Sequence, residues 1–138
     1  MSGFLLDTNV ASEFRKKRAD PHVTAWSLTI DASAVWLSVL VFGEIRCGIE
    51  TLRRRDKRQA VALDRWIEGL EHSYAGRILP IDGDIALEWG RLNAAHGLAA
   101  VDGLLAATAL VHELTLVTRN TKDVARTGVK YLNPFTAV

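Results

Sequence analysis

The chain has 138 residues, 49% of them apolar, and a formal net charge of +1. That size suits one domain with a proper core and no staples, and the near-neutral balance excludes a global basic field that would by itself demand nucleic acid. Cys47 is the single cysteine, so no internal disulfide is possible and a reducing cytoplasm is expected; no signal pattern opens the chain and no apolar run approaches the ~20 residues of a membrane span.

Phe4-Leu5-Leu6 predicts a first short strand that runs directly into Asp7. Asp7 or Thr8 then serves as N-cap of a helix over 8–15. Asp20-Pro21 begins a second helix through Leu28, proline being suited to the first helical position. Ala34-Val35-Trp36-Leu37 reads as a buried strand, with Ser38 as the next N-cap. Val41, Phe42, Ile45, Ile49 and Leu52 recur at helical spacing over 39–52, and Ala60, Leu63, Ile67 and Leu70 do so over 56–72. Residues 77–81 form a third strand, closed by Pro80 and Asp82-Gly83. Helices are expected over 85–95 and 101–112, the second rich in Ala and Leu. A strand over 114–118, a short helix over 120–126 and a strand over 129–132 complete the pattern. Continuous apolar strands alternating with helices indicate an α/β domain with a mainly parallel sheet, covered on both faces. The whole chain, 1–138, reads as that one domain.

The acids fall at informative places. Asp7 ends the first strand, Glu44 lies inside the helix after the second, Asp102 starts the Ala-rich helix, and Asp123 follows the strand over 114–118. In a parallel sheet all strands end on one edge, so groups that follow different strands can converge there. Packed carboxylates repel and their pKa values rise unless cations balance them. Mg²⁺ or Mn²⁺ takes carboxylate and water oxygens, and such ions promote phosphodiester hydrolysis by activating water and stabilising the leaving oxygen. No zinc set competes, because His22, His72, His96 and His112 form no ligand pair near Cys47. Asn9 is placed to bond a carboxylate, and Thr8 and Thr118 can donate hydroxyl bonds that fix carboxylate orientation.

Each residue also has a plainer role. Asp7 and Asp102 can be helix caps, Glu44 can turn to solvent, and Asp123 can be a surface acid beside Lys122. Asp82 and Asp84 read as caps, Cys47 as a small core residue, and Trp26, Trp36, Trp66 and Trp89 as core. The basic stretches Arg15–Arg18 and Arg53–Arg58 read as solvated helix ends when taken alone. The joint placement of the acids carries the case.

The segments LLDTNV, LSVLVFGEIRCGIE, AVDGLLAATAL and LVTRNTKDV, in this order and spacing, resemble PIN-domain ribonucleases, and among them VapC-type toxins, including the FitB-like branch. AGRILPID and the closing YLNPF add to the likeness, which covers nearly the whole chain. The resemblance implies a three-layer α/β/α PIN-like fold and a Mg²⁺- or Mn²⁺-dependent endoribonuclease leaving 5′-phosphate and 3′-hydroxyl ends. It also implies a toxin–antitoxin pair, with a small antitoxin folding over the active site, and a homodimeric toxin. Loops of tRNA or rRNA are the implied substrates. The family's metal-binding acids fall on Asp7, Glu44 and Asp102, and its supporting polar positions on Asn9 and Thr118. Its last acid, two residues after the late threonine, is here Asn120. Asp123 is the carboxylate three residues further on that can replace it. Arg15, Arg18, Arg46 and Arg119 are candidate RNA contacts.

Two other readings predict different behaviour. An inactive PIN-like scaffold, suggested by Asn120, would bind a partner without cleaving RNA. A phosphatase with Asp7 as nucleophile wants a second aspartate where Asn9 stands.

Overall fold

A computed structural model of the chain describes residues 3–136. Its elements, in order, are β1 (Gly3–Leu6), α1 (Thr8–Glu13), α2 (Pro21–Ser27), β2 (Val35–Ser38), α3 (Val39–Arg53), α4 (Lys57–Ser73), β3 (Ile78–Leu79), α5 (Gly83–His96), α6 (Ala100–Val111), β4 (Leu114–Val117), α7 (Thr121–Val124) and β5 (Tyr131–Leu132). Short 3₁₀ turns at Ala32–Ala34 and Ala125–Thr127 precede β2 and follow α7. The five strands form one sheet in the order β3-β2-β1-β4-β5, and every pair is parallel.

The α/β expectation holds, and burial explains its layering. Leu5 and Leu6 are adjacent in β1 and so face opposite sides of the sheet. Both are essentially inaccessible, at 0% and 1%. Apolar burial on both faces requires helices on both, which gives three layers. Leu37, Val41, Leu105 and Val117 join the same core.

The ends of several helices follow from side-chain caps. Asp20 accepts from the His22 amide at 2.8 Å, Asp56 from Gln59 at 3.0 Å and Asp82 from Ile85 at 3.0 Å. Ser38 accepts from Leu40 at 3.1 Å, as expected from the sequence. α5 stops at Gly97, whose φ of 62° is left-handed and suits glycine.

Several expectations are corrected. α1 ends at Glu13, so Arg15–Arg18 lies in a turn. Glu13 explains the stop: it is buried and accepts from the Asp20 amide at 2.9 Å and from Lys16 at 3.0 Å, clipping the loop to the helix end. Strands β3 and β5 are two residues each, shorter than 77–81 and 129–132. Asp102 caps nothing, because the N-cap of α6 is Ala99. Asp84 lies in the first turn of α5, where Asp82 already provides the cap. Cys47 is exposed on α3, on the face away from Val41, Ile45 and Ile49. Of the tryptophans only Trp26 is buried; Trp36, Trp66 and Trp89 are half-buried and flank the core.

α5 and α6 approach closely at Gly103. A Cβ there would lie 3.0 Å from Cδ1 and 3.1 Å from Nε1 of Trp89. Gly103→Val is therefore expected to destabilise the chain by about 1–3 kcal/mol through overpacking, read as a lower urea midpoint with an unchanged slope.

Candidate active site

Strand order decides where a site can form. From β1 the chain winds to β2 and β3 on one side, whereas β4 and β5 lie on the other. The direction of winding therefore reverses between β1 and β4, and a crevice opens outside their carboxyl ends. Asp7 follows β1 and Thr118 follows β4. The Asp7 amide donates to the Val117 carbonyl at 2.9 Å, extending the ladder by one bond and holding Asp7 at that edge.

The Asp7 side chain is 8% exposed, and both of its oxygens are engaged. Oδ1 accepts from the Thr8 amide at 2.7 Å, and Oδ2 accepts from the Thr118 hydroxyl at 2.8 Å. Asp7 thus caps α1 and faces the crevice at once. A carboxylate oxygen can accept more than one bond, so these contacts leave ligating capacity. The Thr8 hydroxyl donates to Oε1 of Glu44, bringing the second turn of α3 to the same place. Glu44 is exposed, as its outward-turning alternative required, and is nevertheless held by Thr8.

Asn120 connects the last acid. Its amide N–H donates to the Thr118 hydroxyl oxygen at 3.0 Å, and its side-chain Nδ2 donates to Oδ2 of Asp123 at 3.1 Å. A continuous chain of bonds therefore runs from Asp7 through Thr118 and Asn120 to Asp123. Asp102, half-buried in the first turn of α6, completes the group. Its carboxyl is pushed above the usual carboxylate range, first by burial and then by the negative charges of Asp7, Glu44 and Asp123. Asp102 therefore lies near enough to the other three carboxylates to feel their charge.

The donor set is oxygen only, which selects a hard cation over zinc or copper. Among the described residues no group of three or more His, Cys, Asp or Glu side chains is already placed to hold a metal ion. Mg²⁺ suits such an open arrangement, since it usually takes one or two carboxylates and retains several waters. The donor chemistry of these side chains therefore suits a hard divalent cation.

The remaining sequence candidates are dispersed. Asn9 is exposed on α1 and, among the described residues, makes no hydrogen bond to the four acids. Arg15 is exposed, with its guanidinium 5.9 Å from the Trp66 ring centroid. Arg18 is exposed in the turn beyond α1. Arg46 is engaged by Glu50 at 3.2 Å and Asp64 at 2.8 Å, an ion-paired link between α3 and α4. Arg119 stacks 3.6 Å from the Phe135 ring centroid. A groove of about 320 Å³ leads away from Thr8 and Glu44 between α1, α3 and α4. Arg55, Gln59 and Trp66 line it and were not singled out from the sequence as site residues. The one-turn spacing of Glu44, Gly48 and Leu52, continued by Arg55, is the signal that could have found it. A larger cavity of 570 Å³, lined by Cys47, Arg53, Arg54 and Lys57 among others, contains none of the four acids.

The PIN domain family profile matches residues 4–130. The chain is 35% identical to the toxin FitB of Neisseria gonorrhoeae over 136 residues, covering 95% of this chain and 97% of that protein. It is 32% identical over 139 residues to the VapC ribonuclease Y4jK of Sinorhizobium fredii, covering 95% and 96%. The crystal structure of FitAcB from Neisseria gonorrhoeae superposes with a TM-score of 0.87 at 34% identity, covering 97% of this chain and 99% of that one. The structure of FitAB bound to an IR36 DNA fragment gives 0.87 at 33% identity, covering 98% and 97%. A profile that spans the sheet from β1 to the approach to β5, together with relatives this similar along almost their full length, places the chain in the PIN-domain family.

Proposed function

We propose that this chain is a divalent-cation-dependent endoribonuclease and the toxin of a toxin–antitoxin pair, with residues 1–138 as one PIN domain. The observation that carries the reading is the hydrogen-bonded placement of Asp7, Glu44 and Asp123 at the reversal point between β1 and β4, with Asp102 near enough to feel all three charges. The names of the FitB and VapC relatives support it. Asp7, Glu44 and Asp102 would hold Mg²⁺ or Mn²⁺, with Asp123 contributing charge. When bound, the ion supplies charge neutralisation, water activation and stabilisation of the leaving oxygen. The reaction is hydrolysis: the oxygen of water bonds to phosphorus, the P–O3′ bond breaks, and the 3′ oxygen leaves with a proton.

The chain's own residues orient the acids and hold the substrate. Thr118 fixes Oδ2 of Asp7, and Thr8 fixes Oε1 of Glu44, so neither carboxylate must reorganise during the reaction. Arg15 and Arg18 are the exposed cations near the end of α1 that would hold the RNA backbone. The partner would be a small antitoxin protein, the counterpart that a chain similar to toxin FitB calls for, and the toxin itself would be a homodimer. The bond from Asn120 to Asp123 favours this reading over an inactive scaffold, since the residue that replaces the family's last acid holds a carboxylate beside the cluster.

Purified, partner-free protein incubated with total RNA is expected to give discrete fragments with Mg²⁺ or Mn²⁺ and none with EDTA. RNA left intact in every metal, by protein that still binds its partner, would instead establish the scaffold.

A further inference from the structure

We propose that the groove between α1, α3 and α4 is a single-stranded RNA subsite that holds nucleotides flanking the scissile phosphate. Arg55 and Arg15 would sit on the backbone and Trp66 would provide a stacking surface. The inference rests on the nuclease reading and deepens it.

The groove begins at Thr8 and Glu44, the pair bonded at the candidate active site, and holds about 320 Å³. Along α3 it follows Glu44, Gly48 and Leu52 and then reaches Arg55 in the hinge before α4. At about 1.5 Å per residue the helical part of this path, Glu44 to Arg53, spans about 13.5 Å. A strand with its scissile phosphate at the acids would therefore lay its neighbouring nucleotides along this path.

Charge selects RNA as the occupant. Among the described residues, Arg46 and Arg53 are ion-paired with Glu50 and Asp64, whereas Arg15 and Arg55 have no ion pair. Both cations that line the groove are therefore unpaired, and among the described residues that line it Glu44, at the active-site end, is the only acid. Trp66 is half-buried, with the unpaired Arg15 near its ring, and an aromatic side chain in a groove that also holds cations can serve as a stacking platform for bases. Gln59 adds an amide that can bond a base edge. The floor is open at Gly48, where a Cβ would meet no atom within 4 Å.

The test uses oligoribonucleotides that share one cut site and differ in length, with wild type, Arg55→Gln, Gly48→Leu and the control Arg65→Gln, which removes an exposed charge of α4 outside the groove. Anisotropy measures binding beside cleavage. On long substrates Arg55→Gln is expected to raise KM about tenfold with kcat unchanged, and to reduce the salt slope of log(kcat/KM) by about 0.7. On the shortest cleaved substrate it should match wild type. Gly48→Leu fills the groove and should show the same length dependence with its circular dichroism spectrum and melting behaviour retained, while Arg65→Gln changes nothing. If wild type cleaves RNA and both groove variants cleave every length equally well, the subsite is overturned and the nuclease reading survives. If wild type binds RNA through Arg55 without cutting it, the subsite stands and the nuclease reading falls; if it neither binds nor cuts, both fall. Unchanged RNA handling with weakened binding of the co-expressed partner protein would make the groove a protein interface and overturn the proposal.

Discussion

Asp7→Asn is expected to lower cation-dependent RNA cleavage by at least about a hundredfold, the scale of losing a preorganised electrostatic contributor at a reacting centre. The chain stays folded. Asparagine retains one acceptor oxygen for the Thr8 amide, and the Thr118 hydroxyl can rotate to accept from the new amide group. The structural cost is therefore that of a rearranged hydrogen bond, about 1 kcal/mol. What is lost is the charge at the one acid, among the described residues, bonded to both the α1 amide and the residue after β4. Fragment yield beside a thermal melt separates the two effects. A variant that melts like wild type and still cuts at wild-type rate would remove Asp7 from the mechanism.

Asp102→Asn acts oppositely on stability and on activity. The Asp102 carboxyl is raised in the folded chain by burial and by its three acidic neighbours, so its ionisation opposes folding. In cation-free protein the stability tied to its proton is fully present below the ordinary aspartate pKa. It is lost as pH rises through the raised folded-state value. At neutral pH the asparagine variant should therefore melt above cation-free wild type, and the difference should vanish in acid. Adding Mg²⁺ or Mn²⁺ reverses the order. A ligand at a hundred times its Kd stabilises by about 2.7 kcal/mol, or about 8 °C for a chain of this size. Wild type should gain on that scale, while the variant gains little and cleaves poorly. Equal melting of the two cation-free proteins at neutral pH would show that Asp102 carries no penalty. An equal gain with cation would show that it is not a ligand.

Both effects come from one design: acids concentrated where the sheet's winding reverses. On the proposed reading, crowding these carboxylates costs stability in cation-free protein and leaves a cluster whose geometry is already set. The threonines make this possible, because each removes rotational freedom from a carboxylate without neutralising it.

Much of this was legible in the amino-acid sequence because it is local. Three apolar residues into an acid, Ser38 before an amphipathic run, and Ala-rich packing after Asp102 are patterns that short-range physics decides. They placed Asp7, Glu44, Asp102 and Asp123 after strands or in the helices that follow them, and the likeness of four ordered motifs indicated the PIN-like fold. Other features were not local. Cys47 falls among apolar residues in the chain, yet the helical repeat turns it outward. Arg46 stands two residues from Glu44, yet its partner Asp64 comes from the next helix. The adjacency of β1 and β4 joins Asp7 to Thr118 across 111 positions, and only the strand order creates it. The same adjacency brings Asn120 and Asp123 to the crevice and makes Asp102 feel three charges at once. Sequence alone therefore determined which residues could do the chemistry, because residue type and strand ends are set along the chain. Tertiary structure decided which of them meet, because convergence depends on which strands pair and on which faces of separate helices pack together.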